Sequence, residues 1–269
     1  MTLALDPALC AEVRSIARTA GDAILHIYGE GFSVELKDDR SPLTEADRRS
    51  HELIKRGLTE LDPAVPILSE ESTAEEVSGR RNWDRFWLVD PLDGTREFIK
   101  RNGEFTVNIA LIDGHEAVLG VVLAPAIGVE YSAVRGHGAY RSDRDGPLQG
   151  IAVTRTAPAT VRVVGSRSHP GAALAAYLAG LEPYVLEPMG SSLKICLVAD
   201  GTADIYPRLG PTSEWDTAAA QAILDEAGGS MIDLEGQPLR YNSREHLLNP
   251  HFLAFGDDRR DWLAFTQRD

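Results

Sequence analysis

The chain of 269 residues predicts a layered α/β protein. Three patterns indicate this architecture: an amphipathic helix near the N-terminus, a meander of apolar strands in the middle, and alternating strands and helices in the second half. Alternation of this kind buries a sheet between helical layers. The polar stretch Arg141–Gly150 predicts a boundary, with one domain at residues 1–145 and a second at residues 146–269.

The first elements follow from local patterns. Between Pro7 and Tyr28, apolar residues recur at three- and four-residue steps, which predicts a helix with one buried face. A second helix should open at Thr44, because Thr44-x-x-Asp47 resembles a capping box with Asp in the place of Glu. Residues 65–69 predict a short strand, and the polar residues 73–85 predict a surface loop.

Apolar runs and turn residues place the later elements in the same way. Strands are expected at 105–112, 117–123, 129–134, 138–140, 161–165, 184–186, 203–206 and 252–255, and helices from 171, at 191–199, at 216–227 and at the C-terminus.

The central motif follows an apolar run, Phe86–Val89, that predicts a buried strand stopping at Asp90. Asp90 and Asp93 should lie on the tight turn that leaves the strand. Two carboxylates so close repel each other unless a cation lies between them, and oxygen-rich sites suit Mg²⁺. Gly94 allows a close approach of the backbone to a ligand, and Thr95 adds a hydroxyl group where a helix could begin.

Further acids occur at the ends of other elements. Glu70 and Glu71 follow a strand, and because adjacent side chains point to opposite sides, only one can face a common site. Asp216 begins a helix, where the helix dipole alone favours an acid. Solvated acids and helix caps would account for each of these singly. An EF-hand is excluded because its ladder of acids is missing.

Basic and hydroxyl residues that could bind a substrate lie in the second half. The segment Ser166–His169 follows a strand, Ser191, Ser192 and Lys194 open a helix, and Arg208 follows another strand. A helix start with two serines and a lysine is a credible second phosphate site. Each residue alone would be an ordinary polar surface residue.

Composition narrows the function classes. A formal charge of −14 argues against binding a nucleic acid polymer through a general basic surface. No apolar run reaches the ~20 residues of a membrane span, and the N-terminus lacks the pattern of a signal peptide. Two cysteines are too few for a disulfide framework, which favours a cytoplasmic location.

Three blocks of the sequence resemble a known family. Asp90-Pro-Leu-Asp-Gly-Thr95, preceded by Leu68–Ser72 and followed by Glu214-Trp-Asp216, is similar to the inositol monophosphatase superfamily of Mg²⁺-dependent, lithium-sensitive phosphatases. Within it, Glu97–Leu111 resembles the CysQ-type 3′(2′),5′-bisphosphate nucleotidases. The resemblance extends from about residue 37 to residue 229, and the blocks occur in the order of the family.

The resemblance implies a fold, a metal site and catalytic residues. The fold would be the αβαβα sandwich of the inositol monophosphatase and fructose-1,6-bisphosphatase type. Two or three Mg²⁺ ions would neutralise the phosphoryl oxygens and activate an attacking water, which Glu70 and the Thr95–Asp47 pair would position. The implied metal ligands are Glu70, Asp90, Asp93, Asp216 and the carbonyl of Leu92, and the implied substrate-binding residues are Gly94, Thr95, His169, Ser191, Ser192, Lys194 and Arg208.

The implied activity is hydrolysis of the 3′-phosphate of 3′-phosphoadenosine 5′-phosphate to AMP and phosphate, in sulfur assimilation or nucleotide recycling. The partner would be this small nucleotide, and the location would be the cytoplasm or the periphery of the inner membrane. An inositol-1-monophosphatase is the alternative that shares the metal site, and a non-catalytic phosphate- or metal-binding protein is a second. The sequence leaves the oligomeric state open.

Overall fold

The computed structural model describes residues 3–30, 34–36, 42–143, 146–166 and 171–266. The described helices are α1 (Pro7–Glu30), α2 (Glu45–Leu61), α3 (Thr95–Ile99), α4 (Ala172–Leu181), α5 (Leu193–Ala199) and α6 (Ala218–Glu226), with short 3₁₀ helices at Arg80–Asn82, Glu214–Asp216 and Trp262–Phe265. The described strands are β1 (Val34–Leu36), β2 (Pro42–Thr44), β3 (Ile67–Ser69), β4 (Arg85–Asp93), β5 (Thr106–Asp113), β6 (Glu116–Ala124), β7 (Val129–Val134), β8 (Ala139–Asp143), β9 (Gln149–Ile151), β10 (Val161–Ser166), β11 (Tyr184–Met189), β12 (Ile205–Arg208), β13 (Ser230–Asp233) and β14 (Phe252–Phe255).

Helices α1 and α2 form the first layer. The apolar stripe of α1 is buried, with Val13 and Ile24 fully inaccessible, and Leu58 of α2 packs in the same core. The predicted capping box is present at the start of α2. The backbone N–H and the hydroxyl of Thr44 both donate to Oδ2 of Asp47, at 2.8 and 2.6 Å. The local prediction of a fixed helix start is therefore confirmed.

The second layer is a seven-stranded sheet in the order β3-β4-β5-β6-β7-β8-β9. Its strands are antiparallel except for the parallel pair β3 and β4. Along β5, Ile109 and Leu111 pack with α1 and α2, whereas Ala110 and Ile112 join the core on the other face. Because both faces are covered, the strand is largely apolar, as its sequence indicated.

The third and fourth layers are α5 with α6, and a five-stranded sheet in the order β11-β10-β12-β14-β13. Ile195 of α5 and Ile223 of α6 share one core with Leu88 of the first sheet and Phe252 of the second. Leu178 of α4 packs on the outer face of the second sheet. The layers thus follow the order αβαβα, which confirms the predicted architecture.

Several local predictions differ from the structure. The strand expected to stop at Asp90 continues to Asp93, because β4 keeps its pairing with β5 past an irregularity. The predicted surface loop 73–85 contains a 3₁₀ helix whose first residue, Arg80, is buried. The helix expected at 216–227 begins at Ala218, after the separate 3₁₀ helix at Glu214–Asp216.

The helix expected at 191–199 begins at Leu193, and the strand expected at 203–206 lies at Ile205–Arg208. Strands β2, β9 and β13 were not predicted.

The end of the first sheet bears on the expected boundary. Strand β9 pairs with β8, so the first sheet includes residues as far as Ile151. The division at residues 145 and 146 stays a prediction. Among the described residues, no helix is long and apolar enough to span a membrane.

Candidate metal and phosphate site

An irregularity in β4 turns two acidic side chains toward the same side. Asp90 pairs with Asn108 of β5 and Asp93 pairs with Thr106, so β4 has three steps where β5 has two. Side chains three residues apart in a regular strand face opposite sides. One extra residue, a β-bulge, changes the facing of the residues that follow it. The bulge therefore explains how Asp90 and Asp93 converge.

A third carboxylate arrives from the second half of the chain. Asp90, Asp93 and Asp216 each place one carboxylate oxygen within 4.8 Å of the others. Burial, and then the charge of Glu70, raise the pKa of Asp90 well above its ordinary value. Burial raises the pKa of Asp93 to about 6, and burial together with the charge of Asp93 raises the pKa of Asp216 to about 8. These hard oxygen donors and their excess negative charge fit a divalent cation such as Mg²⁺.

Glu70 lies beside this cluster. Its backbone N–H donates to the carbonyl of Val89 at 3.1 Å, which fixes it against the end of β4. Its carboxylate is not one of the three clustered groups, yet its charge raises the pKa of each of them. Glu71 lies near His51, where its charge opposes the lowering of the His51 pKa by burial. The expectation that only one of the two adjacent acids faces the site agrees with this arrangement.

Thr95 and Asp47 lie next to each other, although they are 48 residues apart in sequence. The hydroxyl of Thr95 is 3.4 Å from Oδ1 of Asp47 and 3.4 Å from the carbonyl oxygen of Leu92. The other oxygen of Asp47 accepts the hydrogen bonds of the capping box. Asp47 therefore caps α2 and contacts Thr95 at the same time. Gly94, with φ of +89°, makes the left-handed turn between β4 and α3.

The segment before α5 is attached to the first sheet. The N–H of Ser192 donates to Oδ2 of Asp93 at 2.6 Å. Its hydroxyl lies 2.8 Å from Oδ1 of Asn108 and 2.9 Å from Oγ1 of Thr106, and the residue is buried. The hydroxyl of Ser192 thus joins the two halves of the chain. The predicted contact of Ser192 with substrate stays a prediction.

The neighbouring residues of this segment are also held in place. The N–H of Gly190 donates to Oε2 of Glu104 at 2.8 Å. Ser191 has a φ of +48°, a conformation that is uncommon for a residue with a side chain. Its carbonyl accepts a hydrogen bond from the ammonium group of Lys194. The start of α5 therefore has a defined geometry beside Asp93.

Lys194 and Arg208 are the cations nearest to this segment that the sequence singled out. Lys194 is 7% exposed, and its Nζ lies 5.5 Å from the centre of the Tyr206 ring. Burial lowers the pKa of Lys194 to about 8, and the charge of Asp93 opposes that shift. One terminal nitrogen of Arg208 donates to the carbonyl of Pro211 at 2.6 Å, whereas its buried Nε has no partner among the described residues.

Two adjoining cavities open onto these groups. The first, of about 170 Å³, is lined by Asp93, Gly94, Ser191, Lys194 and Asp216 among others. The second, of about 520 Å³, has an apolar wall that includes Leu174, Leu209 and Pro211. The two cavities share Arg96, Ser166, Tyr206 and Arg208. Carboxylates suited to a cation thus face cationic side chains across a cavity, an arrangement that suits an anion bound beside a metal ion.

The structure brings together the predicted residues that it describes. His169 lies in residues 167–170, outside the described part of the chain. Several residues that line the cavities, among them Arg96 and Tyr206, were not predicted as site residues. Tyr206 could have been found, because it lies two residues before Arg208 on the same strand and so faces the same side. The roles of the predicted residues stay predictions.

A five-layer αβαβα sandwich with a carboxylate cluster between its halves defines a class of metal-dependent phosphatases. The chain belongs to the inositol monophosphatase family, whose model matches residues 5–258.

Some relatives of this chain are named as nucleotidases, and others have different names. The chain is 50% identical over 244 residues to the 3′(2′),5′-bisphosphate nucleotidase CysQ of Escherichia coli K12, which covers 90% of this chain and 97% of that protein. The crystal structure of CysQ from Bacteroides thetaiotaomicron matches with a TM-score of 0.83 and 41% identity, covering 94% of this chain and 98% of that one. The extragenic suppressor protein suhB from Bartonella henselae matches with a TM-score of 0.77 and 27% identity, covering 96% of each chain.

Proposed function

We propose that this protein is a Mg²⁺-dependent phosphatase that removes the 3′-phosphate of 3′-phosphoadenosine 5′-phosphate. The observation that carries the proposal is the 50% identity, over 90% of the chain, to a protein named as a 3′(2′),5′-bisphosphate nucleotidase. The carboxylate cluster beside a cavity lined by three cationic side chains, Arg96, Lys194 and Arg208, supports it independently. The products would be AMP and orthophosphate, which suits a role in sulfur assimilation and nucleotide recycling.

The metal ions would be held by carboxylates from both halves of the chain. Asp90, Asp93 and Asp216 would be ligands, Glu70 would add a carboxylate, and the carbonyl of Leu92 would add a neutral oxygen. When bound, two or three Mg²⁺ ions would supply positive charge to the phosphoryl oxygens and lower the pKa of the attacking water. The raised pKa values of the three aspartates support this assignment, because a bound cation would favour their ionised forms.

Thr95 and Asp47 would orient the attacking water. An ionised Asp47 would accept a hydrogen bond from the Thr95 hydroxyl, so the lone pairs of that hydroxyl oxygen would be left to accept a hydrogen bond from water. Asp47 is itself fixed by the capping box at the start of α2. The carboxylate of Glu70 would help to position the same water. Because Gly94 has no side chain, the phosphate could approach the backbone of the turn closely.

The second phosphate would lie in the part of the first cavity that Lys194 and Arg208 line. Ser191 and Ser192 lie beside it and directly precede α5. The buried and unpartnered Nε of Arg208 is a donor that an anion could satisfy. The second cavity, with its apolar wall and the ring of Tyr206, would leave room for the rest of a nucleotide. His169 stays a further predicted contact.

Two alternative functions would make different use of the cavity that Lys194 and Arg208 line. An inositol-1-monophosphatase would use the same carboxylates and would have no second phosphate for Lys194 and Arg208 to bind. Identity favours the nucleotidase, because the chain is 50% identical over 244 residues to a protein named as one. A non-catalytic metal-binding protein would keep the acids without turnover, and it has no observation in its favour.

We place the protein in the cytoplasm, where a nucleotide substrate would occur. Both cysteines, Cys10 and Cys196, are buried free thiols, as expected in a reducing compartment.

The test is hydrolysis of 3′-phosphoadenosine 5′-phosphate and of inositol 1-phosphate, each with Mg²⁺ and with a chelator. We expect Mg²⁺-dependent release of phosphate from the nucleotide, with a much higher kcat/KM than for the inositol phosphate. Faster turnover of inositol 1-phosphate would support the first alternative. Binding of Mg²⁺ without turnover of either substrate would support the second.

A further inference from the structure

A fully buried carboxylate lies two residues before Asp216. Glu214 has no exposed surface, and burial raises its pKa. Its Oε2 accepts one hydrogen bond, from the backbone N–H of Asn242 at 2.7 Å. Its Oε1 makes no hydrogen bond among the described residues and lies 3.5 Å from a terminal nitrogen of Arg244. A buried carboxylate with so few partners lowers the free energy of unfolding. A role in holding the neighbouring backbone in place would explain why an acid lies here.

Asn242 connects Glu214 to the first half of the chain. Its side chain forms a two-way contact with Arg80, in which its Nδ2 donates to the Arg80 carbonyl at 2.6 Å and its Oδ1 accepts from the Arg80 guanidinium. Asn242 has a φ of +53°, a left-handed conformation that Asn tolerates better than most residues. That backbone geometry directs its N–H to Glu214 while its side chain faces Arg80.

Arg80 belongs to the connection between β3 and β4, and it is 8% exposed. Besides Asn242, its guanidinium donates to the carbonyl of Arg244 at 3.1 Å and to the carbonyl of Glu245. An arginine in this geometry holds a whole segment of backbone, since its planar donors point to several acceptors at once. Residues 242–245 are therefore attached to the first half of the chain by one buried side chain.

The turn that carries Asp216 depends on this segment for its place. Within the turn, Oδ2 of Asp216 accepts the N–H of Ser213 at 2.9 Å, which fixes the carboxylate relative to its own backbone. From outside, the turn is held by the Asn242–Glu214 hydrogen bond and by the N–H of Glu214, which donates to the Leu247 carbonyl at 2.8 Å. Nδ2 of Asn249 holds it as well, through a hydrogen bond to the Ser213 carbonyl at 2.7 Å. Asp90 and Asp93, by contrast, belong to the first sheet itself.

We infer that Arg80 and Glu214 are positioning residues for the divalent-cation site. Arg80, Asn242 and Glu214 form a buried strap that sets the distance between Asp216 and the two aspartates of β4. The inference rests on the proposed metal site, and it assigns neither residue a contact with substrate. Carboxylates that come from separate halves of a chain bind a cation tightly only when their spacing is fixed in advance.

The test measures metal binding directly, with Mn²⁺ followed by electron paramagnetic resonance and displaced by Mg²⁺, in the absence of substrate. Arg80→Ala should weaken binding about tenfold or more, the usual effect of removing a partner that orients a ligand. Asn242→Gly should weaken it similarly, because glycine keeps the left-handed backbone and loses the contact with Arg80. This second variant tests the same contact should Arg80→Ala fail to fold. In both variants, saturating Mg²⁺ should restore kcat.

Two Glu214 variants distinguish the positioning role of this side chain from any effect of its negative charge on metal binding. Glu214→Gln keeps an oxygen that can accept the Asn242 N–H, so its metal affinity should stay near that of the wild type. Glu214→Ala should weaken binding as Arg80→Ala does. Equal losses in both Glu214 variants would show that its charge matters and would overturn the inference.

The control is Arg162→Ala, which removes an arginine that is more exposed than Arg80 and also binds a buried partner. Arg162 donates to the buried Asp204 and to Thr154, at the opposite end of β10 from Ser166, which lines the cavities. This variant should melt at a lower temperature and bind Mn²⁺ as the wild type does. If Arg80→Ala and Asn242→Gly bind metal as the wild type does, whatever their melting temperatures, the strap stabilises the fold without positioning the metal site. That result would overturn the inference. A loss of kcat that saturating Mg²⁺ does not restore would also overturn the inference.

The wild type distinguishes this inference from the proposed function. Wild-type protein that binds no divalent cation would overturn both. Wild-type protein that binds the cation and hydrolyses no nucleotide bisphosphate would overturn the proposed substrate alone, because the strap is judged by metal affinity.

Discussion

Replacing Lys194 with alanine should slow the hydrolysis of bisphosphate nucleotides far more than that of monophosphates. Lys194 is 7% exposed, and it lines the cavity that Arg208 also lines. A charge-assisted hydrogen bond to a buried anion contributes about 1.5–3 kcal/mol. Its loss should therefore lower kcat/KM for 3′-phosphoadenosine 5′-phosphate by about tenfold to a hundredfold. Adenosine 3′-monophosphate and inositol 1-phosphate have no second phosphate for Lys194 to bind, so their hydrolysis should change little.

The assay compares kcat/KM for these three substrates in the wild type, Lys194→Ala and Arg208→Ala. Saturating Mg²⁺ is required, because the charge of Lys194 lowers the pKa of Asp93, and its loss would also alter the metal site. Lys194→Met is the matched control for packing, since it retains an apolar chain against the Tyr206 ring. The methionine and alanine variants should lose the same factor on the bisphosphate.

One result would refute the reasoning. Equal losses on monophosphates and bisphosphates would place Lys194 at the reacting phosphate or in the core. The inositol phosphate alternative would then be the better description of the substrate. A loss in Lys194→Ala that Lys194→Met does not share would attribute the effect to packing against Tyr206.

The remaining predictions concern the metal site. Asp93→Asn should lower kcat by about a hundredfold or more with the fold intact by circular dichroism, and a near-normal rate at saturating Mg²⁺ would contradict its assignment. Lithium at about millimolar concentration should inhibit the phosphatase activity when Mg²⁺ is limiting, as the family resemblance implies. Unchanged activity would show that this protein lacks the lithium sensitivity expected from the resemblance. The folded protein without metal holds a proton on Asp216 up to about pH 8, so it binds more protons than the unfolded chain above the ordinary pKa of Asp. Its melting temperature in a chelator should therefore fall as pH rises from about 5 to about 8, and Mg²⁺ should stabilise it most at the upper end. Asp216→Asn should reduce both effects without abolishing them, because burial also raises the pKa of Asp90 well above its ordinary value.

Patterns within one element of structure were readable in the sequence. The run Phe105–Ile112 is apolar at nearly every position because both faces of its strand are buried, and the structure places β5 there. The capping box of Thr44 and Asp47 was predicted from a four-residue spacing and is present. The acids Asp90, Asp93 and Asp216 were singled out because each lies where an element begins or ends. In all these cases the sequence pattern and the structural feature that it predicts lie within a few residues of each other.

Pairings between distant segments were decided by the tertiary structure. The sequence placed Asp90 and Asp93 on a turn after a strand, whereas a bulge within β4 brings them together through the pairing with Asn108 and Thr106. Ser192 was expected to face substrate, and the fold directs its hydroxyl to Asn108 and Thr106, more than 80 residues away.

Arg80 shows most directly where sequence reasoning stops. Its segment is polar and lacks periodicity, so it was predicted to be a surface loop, yet the side chain is buried against residues 242–245. The sequence by itself determined the helices, most strands and the chemistry of the acidic residues, because propensity, periodicity and capping act over a few residues. Only the tertiary structure decided which of those acids meet and what holds them in place. Their meeting depends on the free energy of packing two sheets and a helical layer together, and no short stretch of sequence encodes that packing.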